Sequence, residues 1–510
     1  MKMKNYYLLF LLALFSPFAH SQTTEETGKS NIPDGSIFAL DEAMLLECYP
    51  QAGIKPTGRE MPRDTLSHSL KLHFTPNDAL KPDYLVVVSN SIYDSLAYEI
   101  RTYAEDVHAI YGYGVYVEAV ENATSEQLKS LILNYEDNLH GVFFVGNLEE
   151  CLFEIEEDHH NPEYGYRIWP CDLYYMDLDG IWSDTDNNGV YDTHTGNIDP
   201  DVFFGRLSAA GLSSMGSEVQ LISRQLRKSH DFWWNSSYNV LADTVLNHIG
   251  YSWINHFPAT HIVPAMPSGI VDDVRFDSPA YSKQAYITSI SHNGYGFTHL
   301  AAHSHPLAHR FGMTQAPDSI INVSEIKHTN SCNEAYNLFC CSACNWLGAS
   351  ADGYLGGVYL FDGLKTMAVV GTTKTGGMLK QYLFYSQLPT CNIGEAFVSW
   401  FSQHYINYMI IPWELVSWSY GMTILGDPTI RLWHDVSDYC QQNLQLSAYP
   451  STNSSNLVMF KAGQSITVTN NFVIPQGVHV IFDAPSVIFE DGFVCPLGAT
   501  METRSEGCVL

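Results

Sequence analysis

From Asp83 onward two hydrophobic periods alternate along the chain. Tyr84–Ser89 (YLVVVS) is apolar without interruption, the pattern of a strand covered on both faces of a parallel sheet. Ser91–Ile110 repeats at helical spacing, with Leu96, Ile100, Tyr103, Val107 and Ile110 on one side. Val115–Val120 predicts a second strand and Gly141–Gly146 (GVFFVG) a third; between them Thr124–Gln127 reads as a capping box that opens a helix. Strands alternating with helices imply a mostly parallel α/β sheet flanked by helices and joined by right-handed crossovers. Further strands are expected at Asp201–Leu207, Tyr238–Ala242, His261–Ala265, Met367–Gly371 and Met422–Leu432. Further helices are expected at Ser217–His230, at Ser278–His292 with Pro279 in its first turn, and at Asn392–Tyr408.

Two apolar runs end in reactive side chains. Tyr295–Ala302 (YGFTHLAA) leads to His303, and Leu338–Trp346 (LFCCSACNW) carries Cys344 after the small step Ser342-Ala343. Adjacent strands would deliver both groups to the carboxyl edge of the sheet, where open α/β folds bind ligands. A thiol attacks a carbonyl only as thiolate, so it needs a nearby base or positive field. The expected pair is therefore Cys344 as nucleophile and His303 as base, with the backbone N–H groups of Ser304 and Cys344 as oxyanion donors. Cys341 reads as mid-strand core. Other readings of the same residues stay open: Cys344 paired in a disulfide with Cys332 or Cys340, His305 as the base, or a metal cluster of His299, His303, His305 and His309 without an HExxH motif.

The stretch 147–200 is long for a connection between strands, and loops of that length usually have a function. Within it Asp184, Asp186, Asn188, Gly189 and Asp192 match positions 1, 3, 5, 6 and 9 of a calcium loop, and Val190 at position 7 would offer its carbonyl. Position 12 is Thr195 and not Glu, so Asp177 or Asp179 is expected to complete a structural Ca2+ site. After Ser437 the chain turns to short β segments. Ser465–Gly477 and Ser486–Gly498 repeat one another without a gap, as in a small stacked β-module.

Composition narrows the setting. The chain has 510 residues, enough for two or three domains, and a formal net charge of −30. That charge repels phosphate backbones, so nucleic acid is not an expected partner. Lys2 and Lys4, the apolar run Tyr6–Phe15 and Ala19-His20-Ser21 form a secretory signal over residues 1–21. No later stretch reaches the roughly 20 apolar residues of a membrane span. The expected location is therefore extracytoplasmic. Eleven cysteines leave at least one unpaired within a monomer.

With Phe297–Ser304 and Leu338–Asn345 in this order, residues 83–435 resemble the gingipain-type, caspase-related cysteine peptidases. Asp172–Asp179 (DLYYMDLD), Asp201–Leu207 (DVFFGRL) and Leu425-Gly426-Asp427-Pro428 add to the resemblance, while Ser304 stands where that family has Gly. The resemblance implies a caspase-like fold, a Cys–His dyad and cleavage of protein or peptide substrates after a chosen P1 residue, with Asp199 and Asp201 near the P1 pocket. The expected organisation is signal 1–21, lead-in or pro-segment 22–82, peptidase domain 83–435 and all-β repeat module 436–510. The expected function is a secreted cysteine endopeptidase. The alternatives are an inactive, calcium-stabilised extracellular binding or scaffold protein and a His-based metallohydrolase.

Overall fold

The computed structural model describes residues 66–160, 162, 164–238, 244–250, 271–276, 283–292, 295–311, 319–408, 412–451, 453–469 and 471–510. The signal expected over residues 1–21, most of the expected lead-in, the strand expected at His261–Ala265 and Pro279 lie outside these residues, as does nearly all of the strand expected at Tyr238–Ala242.

Eleven strands build one sheet. In chain order the first five are β1 (Ser67–Phe74), β2 (Asp83–Ser89), β3 (Gly114–Glu121) and β4 (Leu139–Val145), then, after the hairpins β5–β6 (Leu152–Ile155, Arg167–Pro170) and β7–β8 (Ile181–Ser183, Thr193–Thr195), β9 (Phe203–Leu207). The next are β10 (Thr244–Ile249), β11 (Val271–Phe276) and β12 (Phe297–Ala301). A small antiparallel sheet of β13 (His303–His305), β14 (Ala308–Arg310) and β15 (Ile320–Asn322) interrupts, before β16 (Ala335–Phe339), β17 (Ala368–Thr372) and β18 (Met422–Gly426). Their order across the main sheet is β1-β3-β2-β4-β9-β18-β17-β16-β12-β10-β11. Pairing is parallel except for β1 with β3 and β17 with β18. The second exception reverses direction in mid-sheet. The carboxyl ends of β12, β16 and β17 therefore share an edge with the amino ends of β9 and β18.

The apolar runs are buried on both faces, as their composition demands. Along β2, Tyr84, Val86 and Val88 enter one core and Leu85 and Val87 the other, all at 0% exposure. The helix Asn90–Tyr111 covers the first core with Leu96, Ile100, Tyr103 and Val107. The capping box at Thr124 is formed in both directions, and Ser217 caps the helix Glu218–Trp234 in the same way. The three outlying motifs of the sequence meet at the β9–β18 seam. Arg206 pairs with Asp172 at 2.7 Å, Thr423 donates to the same carboxylate, and Gly205 lies so close to Pro428 and the Gly426 carbonyl that a Cβ there would stand 2.6 Å from the proline ring. These motifs thus join the two halves of the sheet.

Five C-terminal strands, β19 (Gln441–Leu446), β20 (Leu457–Val468), β21 (His479–Asp483), β22 (Ser486–Phe489) and β23 (Thr500–Arg504), form a separate sheet. Ser465 pairs with Ser486 and Val473 with Val494, so the sequence repeat stacks in register on itself. A disulfide, Cys440–Cys508, closes this region.

Candidate active site

β12 and β16 are neighbours and parallel, with Ala301 opposite Phe339. Two residues beyond each partner stand His303 and Cys341. β16 and β17 are also parallel, with Asn337 opposite Val370. Continued at the same spacing, that register sets Lys374 beside Cys341. The edge thus carries His303, Cys341 and Lys374 in a row, one from each strand end. Strand alternation puts them on one face: Leu338 and Cys340 enter the first core, whereas Ala335 and Val370 enter the second. Ser304 locks the first two segments together, its Oγ donating to the Cys341 carbonyl at 2.8 Å.

The structure places Cys344 beyond the end of the strand that was expected to carry it. The strand ends at Phe339, not at Cys344. The chain then turns through Ser342 at φ +54°, with Ser342 N–H donating to the Lys374 carbonyl at 2.8 Å and Cys344 N–H to the Thr372 carbonyl at 3.0 Å. The turn carries Cys344 under the opposite face, into the first core, at 0% exposure. Its Sγ fills the space left by two glycines: a Cβ built on Gly371 would lie 2.6 Å from it and one on Gly356 2.8 Å. Burial alone drives this thiol well above its ordinary range, away from the thiolate. The Cys344 N–H, already donated to Thr372, is not an oxyanion donor either. Cys341 is buried, as expected of a core cysteine, but it lies in the turn after β16 and not in mid-strand, level with His303. Cys332, Cys340, Cys341 and Cys344 are all free thiols, so neither disulfide considered for Cys344 is formed.

The turn after Cys341 is held from both sides. Asn345 donates to the Thr373 carbonyl and accepts from Leu347 N–H, and the Trp346 ring lies 5.1 Å from the Arg206 guanidinium. Lys374 is buried; its ammonium is ion-paired with Asp158 at 2.8 Å and donates to the carbonyls of Thr375 and Ser417 at 2.7 and 2.6 Å. Burial pulls Lys374 below the ordinary lysine range. Burial also opposes the Asp158 carboxylate, yet the adjacent Lys374 charge holds it below its usual range. His159, next to it, is pushed down to about 4 by burial.

The other histidines do not converge. His299 is buried against Tyr385 at 2.6 Å and is driven down to about 3 by burial. His309 is likewise brought to about 3, by burial first and then by His305 and His248. Nδ1 of His305 accepts from Leu307 N–H. Among the described residues no group of histidines is placed to share an ion.

The acidic segment divides into two clusters. Glu154, Asp186 and Asp192 bring carboxylate oxygens within 4.8 Å of one another, and Asp177, Asp179 and Asp201 do the same separately. Asp177 and Asp179 therefore do not complete the loop around Asp184–Asp192; Glu154, from β5, does. Asp184 accepts from Asn188 and Gly189 N–H, and Asn188 reaches Glu154 at 2.9 Å. Val190 is buried, its N–H donated to Asn188. Asp177 instead accepts from His194, Gly180 and Trp182, and Asp201 from Leu178 N–H at 2.6 Å. Asp199, half-buried and raised by desolvation, faces Ser402. The hydrogen bonds of Asp201 thus tie the base of the acidic segment. Glu154, Asp158 and Lys374 escape sequence reading, because each meets its partners only through the fold.

No curated protein matches the chain. Among solved structures it is similar to the Arg-specific cysteine proteinase gingipain R, at 15% identity and TM-score 0.49, covering 73% of this chain and 84% of that one. It is also similar to the complex of Porphyromonas gingivalis RgpB pro- and mature domains, at 14% identity and TM-score 0.49, covering 72% and 84%. The model of peptidase family C25 matches residues 77–433, which spans the whole main sheet but β1. The chain belongs to peptidase family C25, the gingipain family of cysteine peptidases.

Proposed function

We propose that the chain is an extracytoplasmic cysteine endopeptidase whose nucleophile is Cys341 and whose base is His303. The observation that carries this reading is the β12–β16 register, which sets those two residues level at the sheet edge while Cys344 is consumed by the core. The Cys341 thiolate attacks the scissile carbonyl carbon, forming the C–S bond and an oxyanion. Backbone N–H groups of Ser304 and Cys341 serve as its donors, the latter in place of Cys344. The His303 imidazolium then gives its proton to the amine nitrogen as the C–N bond breaks. Water, deprotonated by His303, cleaves the thioester to a carboxylate and restores the thiol. Export is supported by the charged and apolar start of the chain and by the Cys440–Cys508 disulfide, which suits an oxidising compartment. Among the described residues no helix is long and apolar enough to cross a membrane.

The cluster Glu154, Asp186 and Asp192 suits a hard divalent cation, since all three offer carboxylate oxygens and Glu154 is buried. Ca2+ bound there would join β5 to the Asp184–Asp192 loop in a structural role.

The test is labelling by a thiol-directed peptide probe together with turnover of a mixed peptide library. Cys341→Ala is expected to lose both, and Cys344→Ala to keep both. The reverse pattern sinks the assignment.

A further inference from the structure

The dyad accounts for His303 and Cys341 but leaves Lys374 and Asp158 unexplained. A buried ion pair is costly to form and is weak evidence of stabilisation for its own sake. This one lies at the reactive edge. Lys374 is one strand over from Cys341 in the β16–β17 register, and its carbonyl holds the N–H of Ser342, the next residue after the thiol. The ammonium donates to the carbonyls of Thr375 and Ser417 and is ion-paired with Asp158, so the charge is pinned in one place.

We propose that Lys374, held by Asp158, is a positioning residue that supplies the positive field stabilising the Cys341 thiolate. His303 flanks the thiol on one side and Lys374 on the other. Asp158 screens part of the lysine charge and so sets how strongly the field acts. The remaining groups on this face are His159, whose ring is neutral near pH 7, and Arg167, whose charge adds to the field. Cys340 and Cys344 enter the opposite core. The thiol is thereby ionised before substrate arrives, its proton resting on His303, which later gives it to the leaving amine.

The proposal rests on Cys341 being the nucleophile, and its test separates the two ideas. Alkylation of Cys341 by iodoacetamide is followed across pH by peptide mass mapping in the full chain, which needs no peptidase activity. In Lys374→Met the midpoint of alkylation is expected to rise by about 1–3 pH units, the effect of removing an opposite charge at close range. In Asp158→Asn it is expected to fall, because the amide oxygen still accepts from the ammonium while the screening charge is gone. A loosened site would move both variants in the same direction. An unchanged midpoint in Lys374→Met, or shifts of one sign in both variants, overturns the proposal. If Lys374→Met does not fold, Asp158→Asn decides alone: a lower midpoint upholds the proposal and any other result overturns it. Retained peptidase activity in Cys341→Ala would instead overturn the nucleophile assignment.

Discussion

Gly371→Ala paired with Cys344→Ala tests whether Cys344 is a packing residue. A Cβ on Gly371 would meet Cys344 Sγ at 2.6 Å, a distance real Cβ atoms do not tolerate; its next neighbours, Leu338 Cβ and Cys344 Cβ, stand at 3.5 and 3.7 Å. Gly371→Ala alone therefore overpacks the core and should cost about 1–3 kcal/mol. Cys344→Ala alone removes a buried sulfur and leaves a small void, at about 1–2 kcal/mol. In the double variant the new methyl enters the space the sulfur vacated, with only ordinary contacts left. The two changes should then nearly cancel, giving a coupling energy of about 2 kcal/mol or more, well outside the roughly 0.5 kcal/mol of independent sites. Urea unfolding of the four proteins measures the cycle through the midpoint at constant slope. Peptide turnover is measured on the same samples, and the double variant should retain it. Additive destabilisation, or a folded but inactive double variant, would refute the placement of Cys344 in the core.

Three further outcomes follow from other parts of the molecule. Glu334, at the amino end of β16, is buried and raised by desolvation to about 8. A carboxyl raised above its unfolded value gives stability that is full at acid pH and is lost as pH climbs from about 4.3 towards 8, so Glu334→Gln should flatten that decline and stabilise the protein in mildly alkaline buffer; identical pH–stability curves would contradict it. Arg206 is fully buried against Asp172 and Thr423, and Arg206→Met should cost about 3–5 kcal/mol because it strands the carboxylate, which thermal or urea unfolding would register. Chelation of Ca2+ should lower the unfolding temperature, and added Ca2+ should restore it by mass action. Glu154→Gln should lose most of that response and Asp179→Asn little of it, since only Glu154 stands with Asp186 and Asp192.

Much of the main sheet was legible from local pattern. Uninterrupted apolar runs marked β2, β4 and β12, and the capping box at Thr124 and the polar-faced run from Ser217 marked their helices. The tail repeat predicted its own stacking register. These features are local: a residue's neighbours along the chain decide its period, and the period decides which sides are buried. The reversal between β17 and β18 left no such mark, because either strand direction buries the same side chains.

Which cysteine reaches the edge is a different kind of question. LFCCSAC is apolar enough to remain strand through Cys344, and nothing in it says where pairing stops. The stop comes from the end of β17 and the segment just after it, where the carbonyls of Thr372 and Lys374 take the N–H groups of Cys344 and Ser342 and bend the chain. The turn through Ser342 then carries Cys344 to the face opposite Cys341. Likewise, Asp158 and Lys374 are more than two hundred residues apart in the chain, and Glu154 lies about thirty before the loop it completes. The sequence by itself determined the strands β2, β3, β4, β9, β12, β17 and β18, the main helices and the histidine after β12, since those depend on short-range pattern; β10 and β11 escaped it. The turn that parts Cys341 from Cys344, the pairing of Lys374 with Asp158 and the grouping of Glu154 with Asp186 and Asp192 were decided by tertiary structure alone, because each depends on contacts and register between segments that are distant in the chain.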